Sequence, residues 1–406
     1  MTQNNFGKRI LALLFLAIMA IGCICSGAYT AVGNIYNYLA GKPAVNEAEE
    51  SEDGTTVEAE MLTMSSINET FVDSMLPKQE LINLNGAMAK NLNIQGYYSS
   101  MGMYVTDEKY IVSVSAQTST DYEYDQTVAF KKYLDEKGIN LIYINQPTKY
   151  VDDNLFSQEF GVESYSNRNA DLFLERIAEA GIPVIDLRDD MEEEGINVYD
   201  MFYRTDHHWT TRSGLWAARK IAEGLNEYCG YSIDTSIYDE TNYTFTEWEN
   251  CWLGEQGRKI GKSYVGLDDF TEIKPKFETS FTFKKKEELT QGTFDDFVRE
   301  DYYNTEQDVY DAKSWHYSYT RQDAINNNVD YGKVLFLGDS YAQVVLPFLS
   351  LGVSELDSLI LRSYKGDLRE LIEKEDYDTV VIGYAQFMIG AHDNPKSANY
   401  AMFTFE

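Results

Sequence analysis

Apolar residues along the chain follow two regular patterns, which alternate between residues 124 and 187. Residues 124–138 carry apolar side chains at helical spacing and end in a glycine, and residues 139–144 follow as a short apolar run. The same order returns in residues 167–181 and 182–187. Helical spacing predicts an amphipathic helix, whereas a short continuous apolar run predicts a buried strand. Their alternation indicates an α/β fold with a parallel sheet, because parallel strands need crossover helices.

A second alternating region spans residues 333–384, where three apolar runs are separated by two helical segments. Continuous apolar runs are typical of parallel strands that are covered on both faces. Residues 230–330 differ, since they are rich in Tyr, Thr and acidic residues and have weak periodicity. We therefore predict a three-layer α/β/α domain with a mostly parallel sheet over residues 75–406, with an irregular insertion around residues 230–330.

The first part of the chain is apolar and is flanked by opposite charges. Residues 10–41 contain no charged residue, Lys8 and Arg9 precede them, and the segment that follows is strongly acidic. Since basic flanks stay in the cytoplasm, we expect the body of the protein to be extracytoplasmic. We predict a cytoplasmic stub and membrane anchor in residues 1–44, with a cleaved signal peptide as the alternative, and an acidic linker in residues 45–74.

The charge of the chain narrows the choice of partners. The sequence has 34 basic and 66 acidic residues and a formal net charge of −32. Because nucleic acids are bound chiefly by Lys and Arg, this balance argues against a nucleic-acid partner. Neutral glycans are the easier partner, and the 31 Tyr residues suit sugar contacts as well as a core. Whether Cys229 and Cys251 form a disulfide stays open.

Two of the four histidines lie together in TDHHWTTRSG, residues 205–214. Histidine exchanges protons near neutral pH, so this concentration indicates chemistry. Asp206 and His208 are two positions apart, which places both side chains on the same side of an extended or turn-like backbone. The acid can then orient one ring nitrogen of His208 while the other acts as a base. We expect His207 to project the opposite way and Trp209 to pack over the site.

The matching nucleophile is expected in KVLFLGDSYAQ, where an apolar strand ends just before Ser340. Ligands bind at the carboxyl edge of open parallel sheets. A helix predicted directly after Ser340 would direct its first backbone N–H groups towards the hydroxyl as an oxyanion site. The alternative is that Asp339 or Ser340 only caps this helix. Among the histidines, His316 and His392 have poorer acidic partners than His208.

The two motifs together, DHHW and a distant GDSY, resemble the DHHW family, a branch of SGNH-type proteins related to the periplasmic alginate O-acetyltransferases. The resemblance implies Ser340 as the nucleophile, His208 as the base and Asp206 as its orienting acid. It also implies an SGNH-like fold for the predicted domain. We expect no cofactor and no metal ion. The chain lacks the G-x-N-D block of SGNH hydrolases, so the second oxyanion donor is unassigned. Further substrate-binding or oxyanion groups are expected among Tyr341, Trp209, Lys149 and Gln386.

These residues predict serine-dependent acyl transfer, and the resemblance implies O-acetylation of an extracellular polysaccharide. Because coenzyme A stays in the cytoplasm, a membrane-bound O-acyltransferase that supplies acetyl groups is the implied partner. A carbohydrate esterase of the same fold is an alternative, since hydrolysis and transfer share an acyl-serine. A non-catalytic glycan-binding or assembly module is another. A manganese-dependent phosphoesterase is disfavoured, because the chain has few histidines and no upstream D-x-D strand motif.

Overall fold

The structure, a computed structural model, describes residues 78–92, 94, 102–150, 152–285, 288–297, 322–390 and 399–406. The predicted anchor or signal segment and the predicted acidic linker lie outside these residues. None of the helices in the described ranges combines the length and the apolar character needed to cross a bilayer. The chain divides into two compact units, residues 1–85 and 86–406, and the sheets and the candidate site belong to the second unit.

The described residues form helices and strands in an order close to the predicted alternation. The helices are α1 (Lys78–Asn91), α2 (Asp121–Lys137), α3 (Asp153–Phe160), α4 (Ser166–Glu179), α5 (Leu187–Glu193), α6 (Thr211–Cys229), α7 (Glu255–Ile260), α8 (Lys262–Val265), α9 (Phe294–Phe297), α10 (Leu346–Leu349) and α11 (Leu368–Glu375). The strands are β1 (Met103–Val105), β2 (Ile111–Ser113), β3 (Asn140–Gln146), β4 (Val184–Asp186), β5 (Tyr243–Trp252), β6 (Asp268–Pro275), β7 (Phe281–Lys285), β8 (Glu288–Gly292), β9 (Gln322–Asn326), β10 (Lys333–Gly338), β11 (Glu355–Leu359) and β12 (Thr379–Ala385). The predicted helix and strand pairs α2–β3 and α4–β4 are therefore confirmed.

The main sheet is mixed, which corrects the prediction of a mostly parallel sheet. In the described residues its strand order is β4-β3-β12-β10-β11-β9-β7-β8. The first five of these strands are parallel to one another. The last three are joined by antiparallel pairing. Antiparallel strands need no crossover helix, so the helix and strand alternation that revealed the parallel strands gives no signal for them.

The region between residues 230 and 330 contains regular structure in its described parts, although it was expected to be irregular. Strands β5 and β6 form a separate two-stranded antiparallel sheet with α7 and α8 between them in the chain, whereas β7, β8 and β9 extend the main sheet. Cys229 ends α6 and Cys251 lies in β5, and both are free thiols. The weakly periodic segment is therefore partly an extension of the sheet.

The main sheet separates two apolar cores. Along β3, Ile142 and Ile144 belong to the core that contains Leu215 of α6. Tyr143, which points the opposite way, packs edge-on against Phe173 of α4 in the other core, with ring centroids 5.2 Å apart. Alternate residues of a strand face opposite sides of the sheet, so each side needs its own apolar cover. Helices cover both faces, as predicted for a three-layer α/β/α domain.

The carboxyl edge of the parallel strands is where the predicted site residues meet. Strands β3, β10 and β12 are parallel neighbours, so their carboxyl ends lie at the same edge. The segments that follow them carry Lys149, Ser340 and Gln386, respectively. The fold therefore places all three residues near one edge of the sheet, as expected from the strand pattern.

Candidate active site

The DHHW loop is the segment of residues 204–209. Asp206 and His208 form the closest contact between an acid and a base in this loop. His208 Nδ1 lies 2.6 Å from Asp206 Oδ1. The same oxygen accepts the backbone N–H of His208 at 3.0 Å, and Oδ2 accepts the backbone N–H of Glu255 at 2.7 Å. The Asp206 side chain is only 2% exposed. The two side chains lie on the same side, as the spacing predicted.

The surroundings of Asp206 fix the protonation pattern of the pair. Burial alone would raise the pKa of Asp206, but the hydrogen bond and charge of His208 hold it well below its ordinary value. An ionised carboxylate only accepts hydrogen bonds, so His208 Nδ1 must carry the proton in this contact. The lone pair then lies on Nε2, the nitrogen that a general base uses.

His207 does not project away from the site, which corrects the expectation drawn from strand alternation. Its Nδ1 lies 3.3 Å from Asp206 Oδ1, and the two imidazole rings have centroids 3.9 Å apart. Alternation holds for extended strands, whereas residues 204–208 form bends. Burial, together with the neighbouring His208, lowers the pKa of His207 to about 4. His207 is therefore neutral at neutral pH.

Residues far along the chain hold the DHHW loop in place, and none of them was predicted from the sequence. Asp268 Oδ2 accepts both the backbone N–H of Thr205 at 2.8 Å and the Thr205 hydroxyl at 2.5 Å. The Gly254 N–H donates to the same hydroxyl oxygen at 2.7 Å. A Cβ at Gly254 would lie 2.4 Å from Asp206 Cβ, so only glycine fits against the acid. The sequence around these residues contains no recognisable signal.

The turn that carries Ser340 is tied to the neighbouring strand by Asp339. Its Oδ1 accepts the backbone N–H of Tyr341 at 2.8 Å, and its Oδ2 accepts the backbone N–H of Ala385 at 2.7 Å. Burial raises the pKa of Asp339, although these two N–H groups oppose the shift. Asp339 therefore anchors the turn that carries Ser340 to the end of β12. The sequence alone suggests only a helix cap for Asp339.

The segment after Ser340 is not the regular helix that the sequence predicted. It is a 3-10 turn, Ala342–Val344, followed by the four-residue helix α10. Pro347 has no backbone N–H, so it cannot continue an α-helix through this segment. The first N–H group, that of Tyr341, is bound to Asp339, so it is not free as the expected oxyanion donor. Among the described residues the half-buried Ser340 hydroxyl has no hydrogen-bond partner.

The DHHW loop and the turn that carries Ser340 are joined by hydrogen bonds of Trp209, Tyr341 and His207, which are sequence neighbours of His208 and Ser340. Trp209 Nε1 donates to the Tyr341 carbonyl oxygen at 2.8 Å, and the Tyr341 hydroxyl donates to the His207 carbonyl oxygen. The ring centroids of His208 and Tyr341 are 5.4 Å apart. Gly214 of α6 also meets this turn, since a Cβ there would lie 2.1 Å from the carbonyl oxygen of Val344. Trp209 is wholly buried and joins the motifs rather than facing a substrate.

A cavity of about 350 Å³ lies beside the DHHW loop and the turn that carries Ser340. Its lining includes His207, Tyr341, Lys149, Ser166 and Phe387. The volume is in the range of small-molecule binding pockets. The cavity therefore provides space for a substrate next to the DHHW loop and to the neighbour of Ser340.

Lys149 lies in the wall of this cavity and is 4% exposed. Its Nζ donates to the carbonyl oxygens of Ile111 at 2.9 Å and Arg204 at 3.2 Å, and to Gln256 Oε1 at 3.4 Å. Burial lowers the pKa of Lys149 to about 7, although the carboxylates of Asp206 and Asp268 oppose the shift. Lys149 thus joins β2, the DHHW loop and α7 around one ammonium group.

Gln386 is placed differently from the other predicted residues, because it lies behind the cavity wall. It is 1% exposed, and its Nε2 donates to Ser166 Oγ and to Asn167 Oδ1, each at 2.9 Å. Ser166 lines the cavity, whereas Gln386 touches it only through Ser166. The structure therefore brings His208, Asp206, Tyr341, Trp209 and Lys149 close together, with Ser340 next to Tyr341 in the chain, and puts Gln386 one layer behind the cavity wall.

In the described residues, one group has possible ligand atoms close enough to hold a single metal ion. The group is Asp206, His207 and His208, whose ligand atoms all lie within 4.8 Å of one another. Both imidazoles, however, present Nδ1 to the same carboxylate oxygen. A metal ion on these atoms would displace the proton that His208 needs at Nδ1 in order to act as a base through Nε2. The donor set therefore suits proton transfer better than metal binding, and the expected lack of a metal stays a prediction.

Comparison with known proteins gives two kinds of likeness. Residues 103–250 match the family model described as SGNH hydrolase-like domain, acetyltransferase AlgX. Alginate biosynthesis protein AlgX of Pseudomonas syringae pv. tomato is 33% identical over 149 residues, which cover 35% of this chain and 30% of that protein. The chain thus spans less than a third of the length of this curated relative.

Solved structures extend the likeness over most of the chain. PatB1 of Bacillus cereus is similar with a TM-score of 0.60 and 19% identity, covering 74% of this chain and 99% of that chain. A DHHW family protein of Eubacterium siraeum is similar with a TM-score of 0.55 and 14% identity, covering 74% and 93%. At these identities the likeness shows a shared fold. The predicted resemblance is confirmed: residues 103–250, which contain the DHHW loop, are similar to the SGNH hydrolase-like domain of the acetyltransferase AlgX family.

Proposed function

We propose that this protein is an extracytoplasmic serine-dependent acyltransferase that O-acetylates a cell-surface or secreted polysaccharide through an acyl-Ser340 intermediate. The observation that carries the proposal is the 2.6 Å contact between His208 Nδ1 and the buried Asp206 carboxylate. This contact lies beside Tyr341, the residue that follows Ser340. The match to an acetyltransferase family over residues 103–250 supports the same reaction class.

In the first half of the proposed reaction, His208 Nε2 takes the proton of the Ser340 hydroxyl as its oxygen attacks the acyl carbon. The bond between the acyl carbon and the donor's leaving group then breaks, and His208 returns the proton to that group. Asp206 keeps the Nδ1 proton in place and stabilises the imidazolium that forms. The product of this half reaction is an ester on Ser340.

In the second half, a sugar hydroxyl gives its proton to His208 and attacks the acyl carbon of the ester. The bond to Ser340 breaks, and the serine oxygen recovers the proton from His208. Water in place of the sugar hydroxyl gives hydrolysis, so a carbohydrate esterase of the same fold would use the same groups. The similarity to an acetyltransferase family favours transfer over hydrolysis.

The location and the donor partner complete the proposal. Lys8 and Arg9 before the apolar segment and the acidic residues after it support an extracytoplasmic body held by a membrane anchor. Coenzyme A is cytoplasmic, so acetyl groups must cross the membrane before they reach Ser340. A membrane-bound O-acyltransferase is therefore the proposed partner.

The assignment of Ser340 is tested by covalent acylation with nitrophenyl acetate, followed by mass spectrometry of the protein. We expect one acetyl group on the parent protein and none at this position in Ser340→Ala. Ser350→Ala is the matched control, because Ser350 is a buried serine whose hydroxyl donates to the Pro347 carbonyl oxygen away from the cavity. Labelling of Ser340→Ala equal to that of the parent would remove the assignment.

Transfer and hydrolysis are separated by assaying acetate release with and without an acceptor. Cellotetraose, xylotetraose and chitotetraose provide neutral acceptors with different hydroxyl patterns. We expect acetylated oligosaccharide to form at the expense of free acetate. Acetate release that is unchanged by all three acceptors, with no acetylated sugar, would favour the esterase.

A further inference from the structure

The cavity beside the DHHW loop has the size and the lining expected for the binding of a sugar ring. Its volume of about 350 Å³ is about twelve times the roughly 30 Å³ that one water molecule occupies in the liquid, far more than an acetyl group fills. The wall includes the aromatic residues Tyr150 and Phe387 and the hydroxyl-bearing residues Ser115 and Ser166, whereas Tyr341, which also borders the cavity, is only 1% exposed. Aromatic faces pack against the C–H faces of sugars, and hydroxyl groups bind sugar hydroxyls.

A chain of hydrogen bonds behind this wall begins at Arg188, which can only donate hydrogen bonds. Arg188 forms ion pairs with Asp186 at 2.6 Å and Asp171 at 2.7 Å. Its Nη1 also donates to Asn167 Oδ1 at 3.2 Å. Since a guanidinium group has no acceptor, the Asn167 atom that faces it must be the carbonyl oxygen. The other half of this amide, Nδ2, then donates to the Tyr150 carbonyl oxygen at 3.0 Å.

The orientation of Asn167 fixes the orientation of Gln386. The Asn167 oxygen lies 2.9 Å from the terminal amide of Gln386, which must therefore present its NH₂ group there. The reverse orientation would place two carbonyl oxygens against each other. The second hydrogen of the same NH₂ group is donated to Ser166 Oγ at 2.9 Å. The donor group of Arg188 therefore determines the orientation of the Asn167 amide, which determines that of the Gln386 amide. Gln386 in turn donates a hydrogen bond to Ser166.

Ser166 is the end of this chain and is the member that reaches the cavity. A hydroxyl group has one proton to donate and two lone pairs. Because Ser166 Oγ accepts from Gln386, its own proton remains for another partner. Within the described part of the chain no acceptor for that proton lies within hydrogen-bond distance, and Ser166 lines the cavity. The proton is therefore available to an oxygen atom of a bound ligand.

We infer that the cavity binds the acceptor sugar of the acyl transfer and that the Ser166 hydroxyl donates a hydrogen bond to a sugar oxygen. This inference rests on the proposed acyl transfer to a glycan. Gln386 has a positioning role, since it sets the direction of the Ser166 hydroxyl without touching the sugar. A single hydrogen bond of this kind corresponds to roughly a tenfold change in affinity.

The test compares sugar binding and acylation in the same variants of the full chain. We expect Ser166→Ala to weaken the binding of the accepted tetrasaccharide, among cellotetraose, xylotetraose and chitotetraose, by about tenfold and to raise its KM equally. The rate of Ser340 acylation by nitrophenyl acetate is measured in the same variants, and in Ser166→Ala it should fall by less than the sugar affinity, because no sugar takes part in that half reaction. Ser166→Thr keeps the hydroxyl and should bind the tetrasaccharide like the parent protein. Ser350→Ala is again the control for loss of a buried hydroxyl.

A second variant tests the direction of the hydrogen bond. In Gln386→Glu the carboxylate accepts instead of donating, so the Ser166 proton should turn away from the cavity and sugar affinity should fall as in Ser166→Ala. Unchanged sugar binding in a folded Ser166→Ala protein, or no binding of any of the three tetrasaccharides, would overturn the inference. So would an equal loss of acylation rate, since the cavity would then serve the acyl donor. Acylation that persists in Ser340→Ala would instead refute the proposed function.

Discussion

Lys149 offers a test of the electrostatics of the cavity wall, because its ammonium group is buried with only neutral hydrogen-bond acceptors around it. These acceptors are the carbonyl oxygens of Ile111 and Arg204 and the side-chain oxygen of Gln256. Burial lowers the pKa of Lys149 from the ordinary value of 10.5 to about 7. The charged form is thus destabilised in the folded state but not in the unfolded chain.

The sign of the resulting pH dependence follows from the two pKa values. Below pH 7 Lys149 is charged in both states, and the folded state carries the whole cost of burying the charge. Between pH 7 and 10.5 the folded state has released the proton while the unfolded chain still holds it, so stability rises with pH. At about 1.36 kcal/mol for each pH unit, the full effect is about 5 kcal/mol, of which about 4 kcal/mol falls between pH 6 and pH 10.

The assay measures the free energy of unfolding in urea at several pH values for the parent protein and for Lys149→Met. Methionine is uncharged at every pH, so the difference between the two proteins isolates the titration of Lys149. We expect the parent to gain about 4 kcal/mol relative to Lys149→Met between pH 6 and pH 10. Lys374→Met is the control, since the Lys374 side chain is 78% exposed and buries no charge.

A difference that stays constant from pH 6 to pH 10 would refute this reasoning. It would mean that Lys149 keeps its proton in the folded state because its three acceptors outweigh burial. A difference that falls with rising pH would show that the charged form is favoured in the folded state, which is the opposite sign.

Three further predictions concern the DHHW loop. Asp206→Asn should lower kcat for nitrophenyl acetate hydrolysis by about 10³- to 10⁴-fold, because both carboxylate oxygens accept backbone N–H groups and an amide in either orientation would oppose one of them; a loss under tenfold would contradict it. Gly254→Ala should lower the melting temperature and reduce the free energy of unfolding by about 1–3 kcal/mol, since its Cβ would lie 2.6 Å from the Thr205 carbonyl oxygen. An unchanged melting curve would show that the loop can shift to accept the methyl group without loss of stability. Dialysis against excess EDTA should leave the esterase rate unchanged, and recovery by added manganese after a loss would revive the metal-enzyme alternative.

The parts of the fold that could be predicted are those with a local signal. Strands β3 and β12 are buried on both faces, so their sequences are continuous apolar runs, and α2 and α4 have clear helical periodicity. The antiparallel strands β7, β8 and β9 have mixed polarity and no intervening helix, so the parallel-sheet pattern could not reveal them. In the same way, Pro347 was the sign that the helix expected after Ser340 would be interrupted.

The candidate site was predictable only where its residues are neighbours in sequence or follow parallel strands. Asp206 and His208 belong to one short motif, and Ser340 follows a strand that ends at the same edge of the sheet. Asp268 and Gly254 hold the loop through contacts that span 63 and 49 positions of the chain. Nothing in a single sequence indicates which distant glycine or acid meets a given loop, so these supports appear only in three dimensions.

The close approach of Gly214 to the Val344 carbonyl oxygen has a mechanical consequence for the site. Gly214 lies in the first turn of the helix that begins right after the DHHW loop, and Val344 follows Ser340 by four positions. Backbone touches backbone here with no side chain between them, so the helix after the DHHW loop cannot move closer to the turn after Ser340. The wall formed by residues 111–115 and 148–150 is also bound to the DHHW loop, because Lys149 donates to the Arg204 carbonyl oxygen, so widening the cavity on that side for a bulky polymer would require breaking this contact.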